Sequence, residues 1–205
     1  VNEQPTNVLA MELLREIGRL DTSAYSDNAA GNKASGIKNV APFISELAAV
    51  RPKVVLSNIS LLLPHLDSEP YVLRSAIIHS IGHVLVREDQ SLIEAKKDKD
   101  GDSTEEGSSG DGTSNSNKEE CLIANMAKTR TSLFEILCDR TRDITSFTRA
   151  ASLKVLNDLT ERQSLPLDRI MPVTEIAIDR LKDKTVMVRR NAMQVSDFAA
   201  LCKPM

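Results

Sequence analysis

Three stretches of the chain can be laid over one another, and this recurrence constrains the fold more than any other feature. They begin at Leu62 (LLPHLDSEPYVLRSAIIHSIG), Leu137 (LCDRTRDITSFTRAASLKVLN) and Ala177 (AIDRLKDKTVMVRRNAMQVSD). Each closes one segment of helical apolar spacing and passes an Asp in the connection (Asp67, Asp143, Asp183). Each then opens a second segment with an apolar residue, a basic residue two positions on, and Ala two beyond that. The three sets read Val72-Arg74-Ala76, Phe147-Arg149-Ala151 and Val188-Arg190-Ala192. From Arg149 to Arg190 is 41 residues. The 75 residues from Arg74 to Arg149 fall to roughly one more repeat once a polar insertion is set aside.

A period near 40 with two helices per unit is the signature of HEAT repeats. Such a unit cannot bury its apolar face alone, so units stack into a superhelix. In this register the Ala lets two helices approach closely, the Asp caps the second helix, and the Arg pairs with the turn of a neighbouring unit. Composition agrees: aromatics are only 3% of the residues, with no Trp, and Leu, Ile, Val and Ala carry the 41% apolar content. That balance favours helices over a sandwich or barrel. No alternating strand pattern competes, so the expected fold is all-α, a HEAT-repeat α-solenoid of about four helical hairpins over 1–205.

Two polar stretches interrupt the array. Lys96–Lys118 holds 23 residues with no apolar side chain and ten charges, and is expected to be a disordered inserted loop. Ser23–Gly36, rich in Gly, Asn and Ser, is expected to be a flexible connection. Three widely spaced cysteines, Cys121, Cys138 and Cys202, exclude a disulfide scaffold and a zinc finger and fit a reducing compartment. No apolar run approaches the length of a membrane span. The chain begins at Val1 inside a polar phrase with no targeting segment, as an excerpt of a longer protein would.

No pattern carries catalysis. Asp98–Asp102 begins like an EF-hand loop, but position six is Ser103 and position twelve is Ser109, so the turn glycine and the bidentate acid are both missing. His79 and His83 stand four apart on one helix, as in a zinc hydrolase, yet Ser80 occupies the place of the activating Glu. There is no phosphate loop and no nucleophile elbow. Catalytic residues, cofactors, metals and small-molecule substrates are therefore not expected. The remaining signal is charge. Between Arg140 and Arg190 there are eleven basic and seven acidic residues. Arg140, Arg142, Lys182, Lys184 and Arg189 fall at hairpin connections, where stacking would align them into a stripe for phosphates or an acidic partner.

Whole phrases carry a further likeness. NVAPFISELAAVRPKVVLSNISLLLPHLDSEPYVLRSAII, DITSFTRAASLKVL and LPLDRIMPVTEIAIDRLKDKTVMVRRNAMQ resemble, in order, the N-terminal half of the condensin complex subunit 1 family, the HEAT-repeat non-SMC subunits of condensin. The insertion at 96–118 is not part of that pattern. The resemblance implies a non-enzymatic subunit of an assembly in which two SMC ATPases join a kleisin and two HEAT-repeat proteins to compact and segregate mitotic chromosomes. It implies binding to the kleisin, contact with the SMC ATPase heads, a share in weak DNA or chromatin contacts, and a nuclear and chromosomal location with a cytoplasmic pool. It implies no membrane partner, and ATP hydrolysis would belong to the partners. From the repeats alone, another HEAT scaffold, such as a transport adaptor or a phosphatase regulatory subunit, remains the alternative.

Overall fold

A computed structural model of the chain describes residues 5–22, 32–100 and 113–201, with side chains over 7–22, 36–86, 125 and 127–197. Eight α-helices and no strands occur among these residues: α1 (Pro5–Gly18), α2 (Asn32–Val50), α3 (Pro52–Leu62), α4 (Tyr71–Asp100), α5 (Thr113–Arg140), α6 (Ser146–Glu161), α7 (Leu167–Arg180) and α8 (Val186–Leu201). Three consecutive pairs, α3 with α4, α5 with α6 and α7 with α8, pack as helical hairpins. The even-numbered helices form one layer, α2 against α4, α4 against α6, and α6 against α8, while α1 packs on α3 in the other. The architecture is all-α, a HEAT-type solenoid.

Proline and turn chemistry set the boundaries. Pro52 sits in the first turn of α3, where a missing N–H costs nothing. A 3₁₀ turn, Leu63–Asp67, follows α3. The Pro70 carbonyl then accepts from Leu73 and Arg74 to start α4, and the Pro166 carbonyl accepts from Arg169 to start α7. The end of α6 is closed by Gln163 in the left-handed region, φ 55°, with the Ser164 N–H on the Leu159 carbonyl. That six-to-one bond is the Schellman closure.

The backbone is helical over 96–100 and 113–118, at both ends of the stretch expected to be a disordered loop, and residues 101–112 lie outside the described ones. Of the connection expected at 23–36, residues 32–36 belong to α2 and 23–31 lie outside. The aborted calcium loop has no described side chains.

One apolar core runs through the array, from Leu14 and Ile17 on α1 through Ile44, Leu62, Leu73, Ile77, Ile81 and Leu137 to Leu156, Val173 and Val195. A separate small cluster joins Ala150 and Leu153 of α6 to Val188 and Ala192 of α8. Helix α4 crosses α6 at its tightest at Gly82, where an added Cβ would lie 2.7 Å from Val155 Cγ1. The first units are tied by His65, whose Nε2 lies 2.8 Å from the Ile17 carbonyl oxygen.

The Gly82 contact gives a direct test. Replacing Gly82 with Ala must push Val155 or separate the helices, and is expected to cost about 1–3 kcal/mol by chemical denaturation. Adding Val155→Ala in the same chain removes the obstructing methyls and should restore part of that loss.

Candidate functional site

The connections leading into α4, α6 and α8 are built alike around one arginine each. Arg74 Nη1 donates to the carbonyls of Ser68 and Glu69. Arg149 Nη1 donates to those of Asp143 (2.9 Å) and Ile144 (3.1 Å), and Arg189 Nη1 to those of Asp183 (2.8 Å) and Lys184 (3.0 Å). In every case the carbonyls belong to residues six and five positions earlier. The guanidinium thus closes the turn of its own hairpin by satisfying carbonyls that no helix uses.

In two of the three, other nitrogens of the guanidinium reach forward. Arg74 Nη2 donates to Asp143 Oδ1 at 3.2 Å and also to Thr145 Oγ1. Arg149 grips Asp183 with both prongs, Nε to Oδ2 at 2.8 Å and Nη2 to Oδ1 at 3.0 Å. Each carboxylate also accepts a backbone N–H two residues on, Thr145 at 2.8 Å and Thr185 at 2.9 Å. The result is a two-rung ladder in which Arg74 and Arg149 each staple their own turn and the carboxylate of the next, while Arg189 closes its own turn. Both rungs are buried: the side chains of Arg74 and Asp143 are 6% and 3% exposed, those of Arg149 and Asp183 14% and 4%.

This geometry shifts the sequence register by one residue in two places. Arg189, not Arg190, is the counterpart of Arg74 and Arg149, which makes the last period 40 residues. Ser68, not Asp67, stands where Asp143 and Asp183 stand; Asp67 is exposed and takes Arg140 Nη2 at 2.9 Å. The misplacement followed the alanines. Ala76, Ala151 and Ala192 are all buried. The residue of α6 that shares the small cluster with Ala192, however, is Ala150, one position earlier than Ala151. The signal that could have set the register was the Asp-x-Thr pair, Asp143-Ile144-Thr145 and Asp183-Lys184-Thr185. Asn191, which donates to the Ala150 carbonyl at 2.8 Å across the α6–α8 contact, carried no such signal.

The five residues of the expected basic stripe divide. Arg140 is occupied, with Nη1 on the Leu66 carbonyl, Nη2 on Asp67 and Asp143 Oδ2 at 3.9 Å. Arg189 is half-buried on its turn carbonyls. Arg142, Lys182 and Lys184 are exposed.

His79 and His83 line a cleft of about 380 Å³ between α4 and α6, together with Asp158, Arg162, Val86 and Val155. Burial pushes the His79 pKa down, helped by Lys154 and His83 and opposed by Asp158. No group of three His, Cys, Asp or Glu suited to a metal occurs among the described residues. Burial also pushes the Cys138 thiol up to about 11, far from a nucleophile's range.

The stacked hairpins and their arginine ladder define a HEAT-repeat protein. No family model matches the chain. Among curated proteins it is 31% identical over 184 residues to condensin complex subunit 1 of Mus musculus, and 30% identical over 184 residues to that of Homo sapiens. It is 29% identical over 187 residues to condensin-1 complex subunit CAP-D2 of Arabidopsis thaliana. The matched stretch is 90%, 90% and 91% of this chain and 11% of each relative. The chain is homologous to condensin complex subunit 1.

The ladder has an acid limit. Burial raises the Asp183 pKa, but the hydrogen bonds from Arg149 and Thr185 and the charges of Arg149 and Arg180 outweigh it and bring it below 3.8. A carboxylate depressed in the folded state contributes stability above its unfolded pKa and loses it as pH falls through the folded value. Stability should therefore drop as pH falls below about 3.8, and Asp183→Asn should flatten that part of the acid-denaturation curve. At neutral pH, Arg149→Ala leaves the Asp183 carboxylate buried without its partner and is expected to cost about 3–5 kcal/mol by urea titration.

Proposed function

We propose that the chain is a non-catalytic scaffold segment of a condensin regulatory subunit, contributing to contacts with the kleisin and the SMC ATPase heads in mitotic chromosome condensation and segregation. The observation that carries this reading is the likeness to condensin subunit 1 from plant and mammals across nine-tenths of the chain. The ladder supports it. A stack stapled at two successive junctions holds its surfaces in fixed order, which is what a scaffold requires. The corresponding location is the nucleus and the chromosomes, with a cytoplasmic pool.

Any contact with duplex DNA rests on Arg142, Lys182 and Lys184. Three phosphate contacts make binding weak, indifferent to sequence, and dependent on salt with a log–log slope of about −3 at most.

Co-expression with kleisin fragments and SMC heads tests the assignment. The chain is expected to co-purify with a kleisin fragment and to show no ATP hydrolysis of its own. Failure to bind any part of the kleisin or the SMC heads, or ATPase activity that survives their removal, would overturn it.

A further inference from the structure

The turns that carry the ladder also carry exposed apolar side chains. Ile144 is 92% exposed, Val186 63%, Phe147 50% and Met187 38%, all at the two consecutive connections into α6 and α8. The two turns are linked to their neighbours. Phe147 stacks on Tyr71 of the preceding unit with ring centroids 4.7 Å apart, and Arg149 bridges the Ile144 carbonyl to the Asp183 carboxylate. A further stacked unit cannot cover Ile144 or Phe147, because α7 and α8 already occupy that side of the hairpin and leave both exposed.

Charge decides what fits there. The two turn acids, Asp143 and Asp183, are buried in the ladder, and Asp179 lies 3.5 Å from Arg180. The cations of the same turns, Arg142, Lys182 and Lys184, are exposed. Burying these two acids leaves an edge that is apolar with its cations in excess, Asp139 and the Arg180-paired Asp179 being the acids still exposed beside it. A phosphate backbone offers nothing to Ile144, Phe147 or Val186, whereas grouped exposed apolar residues among like charges mark a protein-binding surface.

We propose that this turn edge, formed by Ile144, Phe147, Val186 and Met187 with Arg142, Lys182 and Lys184, docks an extended protein segment with an apolar residue at every third position and acidic residues between. Adjacent helices in a stack lie about 8–10 Å apart, and an extended chain of polyproline-II type advances about 3.1 Å per residue with three residues per turn, so apolar anchors on one face of the segment fall three residues apart. The acids between them meet the exposed cations. The surface deepens the scaffold reading, since it gives the array an edge for an extended partner. Its failure is separable from that reading because co-purification with the kleisin and SMC heads is measured independently.

The probe is a fluorescent synthetic peptide with Leu or Phe at every third position and Glu between, compared with its Lys-for-Glu counterpart and with duplex DNA. The acidic peptide is expected to bind more tightly than both. Ile144→Ser with Val186→Ser, and separately Lys182→Glu with Lys184→Glu, should each weaken it about tenfold. Neither pair should move the melting temperature, because all four side chains are exposed. In the assembled complex, a benzoylphenylalanine in place of Ile144 should crosslink to protein. The proposal is overturned if the Lys peptide binds as well, if the Ser variants bind the acidic peptide unchanged, or if the photocrosslink goes to DNA or to nothing.

Discussion

Arg74 and Arg149 each do two things with one planar group. Nη1 takes two carbonyls that the preceding turn leaves unused, and the rest of the fork takes a carboxylate from the next unit, through Nη2 in Arg74 and through Nε and Nη2 in Arg149. A guanidinium suits this because its donors are fixed in a fork and its charge persists at every pH the protein meets. A lysine ammonium would satisfy either the turn or the carboxylate, but not hold both in one geometry. Turn closure and unit stacking are thereby coupled: the turn cannot open without releasing the neighbour, and the neighbour cannot slide without disturbing the turn. Apolar burial provides most of the stability of such a stack but little of its register, since aliphatic faces tolerate sliding. The ladder sets the register.

The same economy of charge shapes the outer edge. Seven acids among eleven bases between Arg140 and Arg190 would suggest a nearly balanced surface. The fold does not present them equally. Asp143 and Asp183 are drawn inside by Arg74 and Arg149, and Arg140 is spent on Asp67 and the Leu66 carbonyl, while Arg142, Lys182 and Lys184 remain outside. Which charges reach a partner therefore depends on which are used to hold the units together, and that sorting leaves the cations beside Ile144 and Val186.

The inner layer follows a different constraint. Gly82 permits α4 and α6 to cross in contact, and the cleft beside that crossing exposes His79 and His83 next to Asp158 and Arg162. Helical spacing made the two histidines resemble metal ligands, since positions four apart share a face. Among the described residues no group of three His, Cys, Asp or Glu suited to a metal accompanies them.

Much was legible in the chain. The all-α class, the two-helix unit, the period near 40 and the involvement of Arg74, Asp143, Arg149 and Asp183 follow from residue spacing, because helical periodicity and turn chemistry are local properties. The register within the unit was not legible. Arg189 and Arg190 are adjacent basic residues, as Ala150 and Ala151 are adjacent small ones, and spacing alone does not say which points into the turn. Only the packing of α8 on α6, which seats Ala192 against Ala150 and brings Arg189 to the Asp183 and Lys184 carbonyls, decides it. The division of the basic stripe was likewise tertiary. Sequence counts charges, but whether a charge is free or paired depends on partners tens of residues away, 69 for Arg74 with Asp143 and 34 for Arg149 with Asp183. Those pairs exist only once the units have stacked.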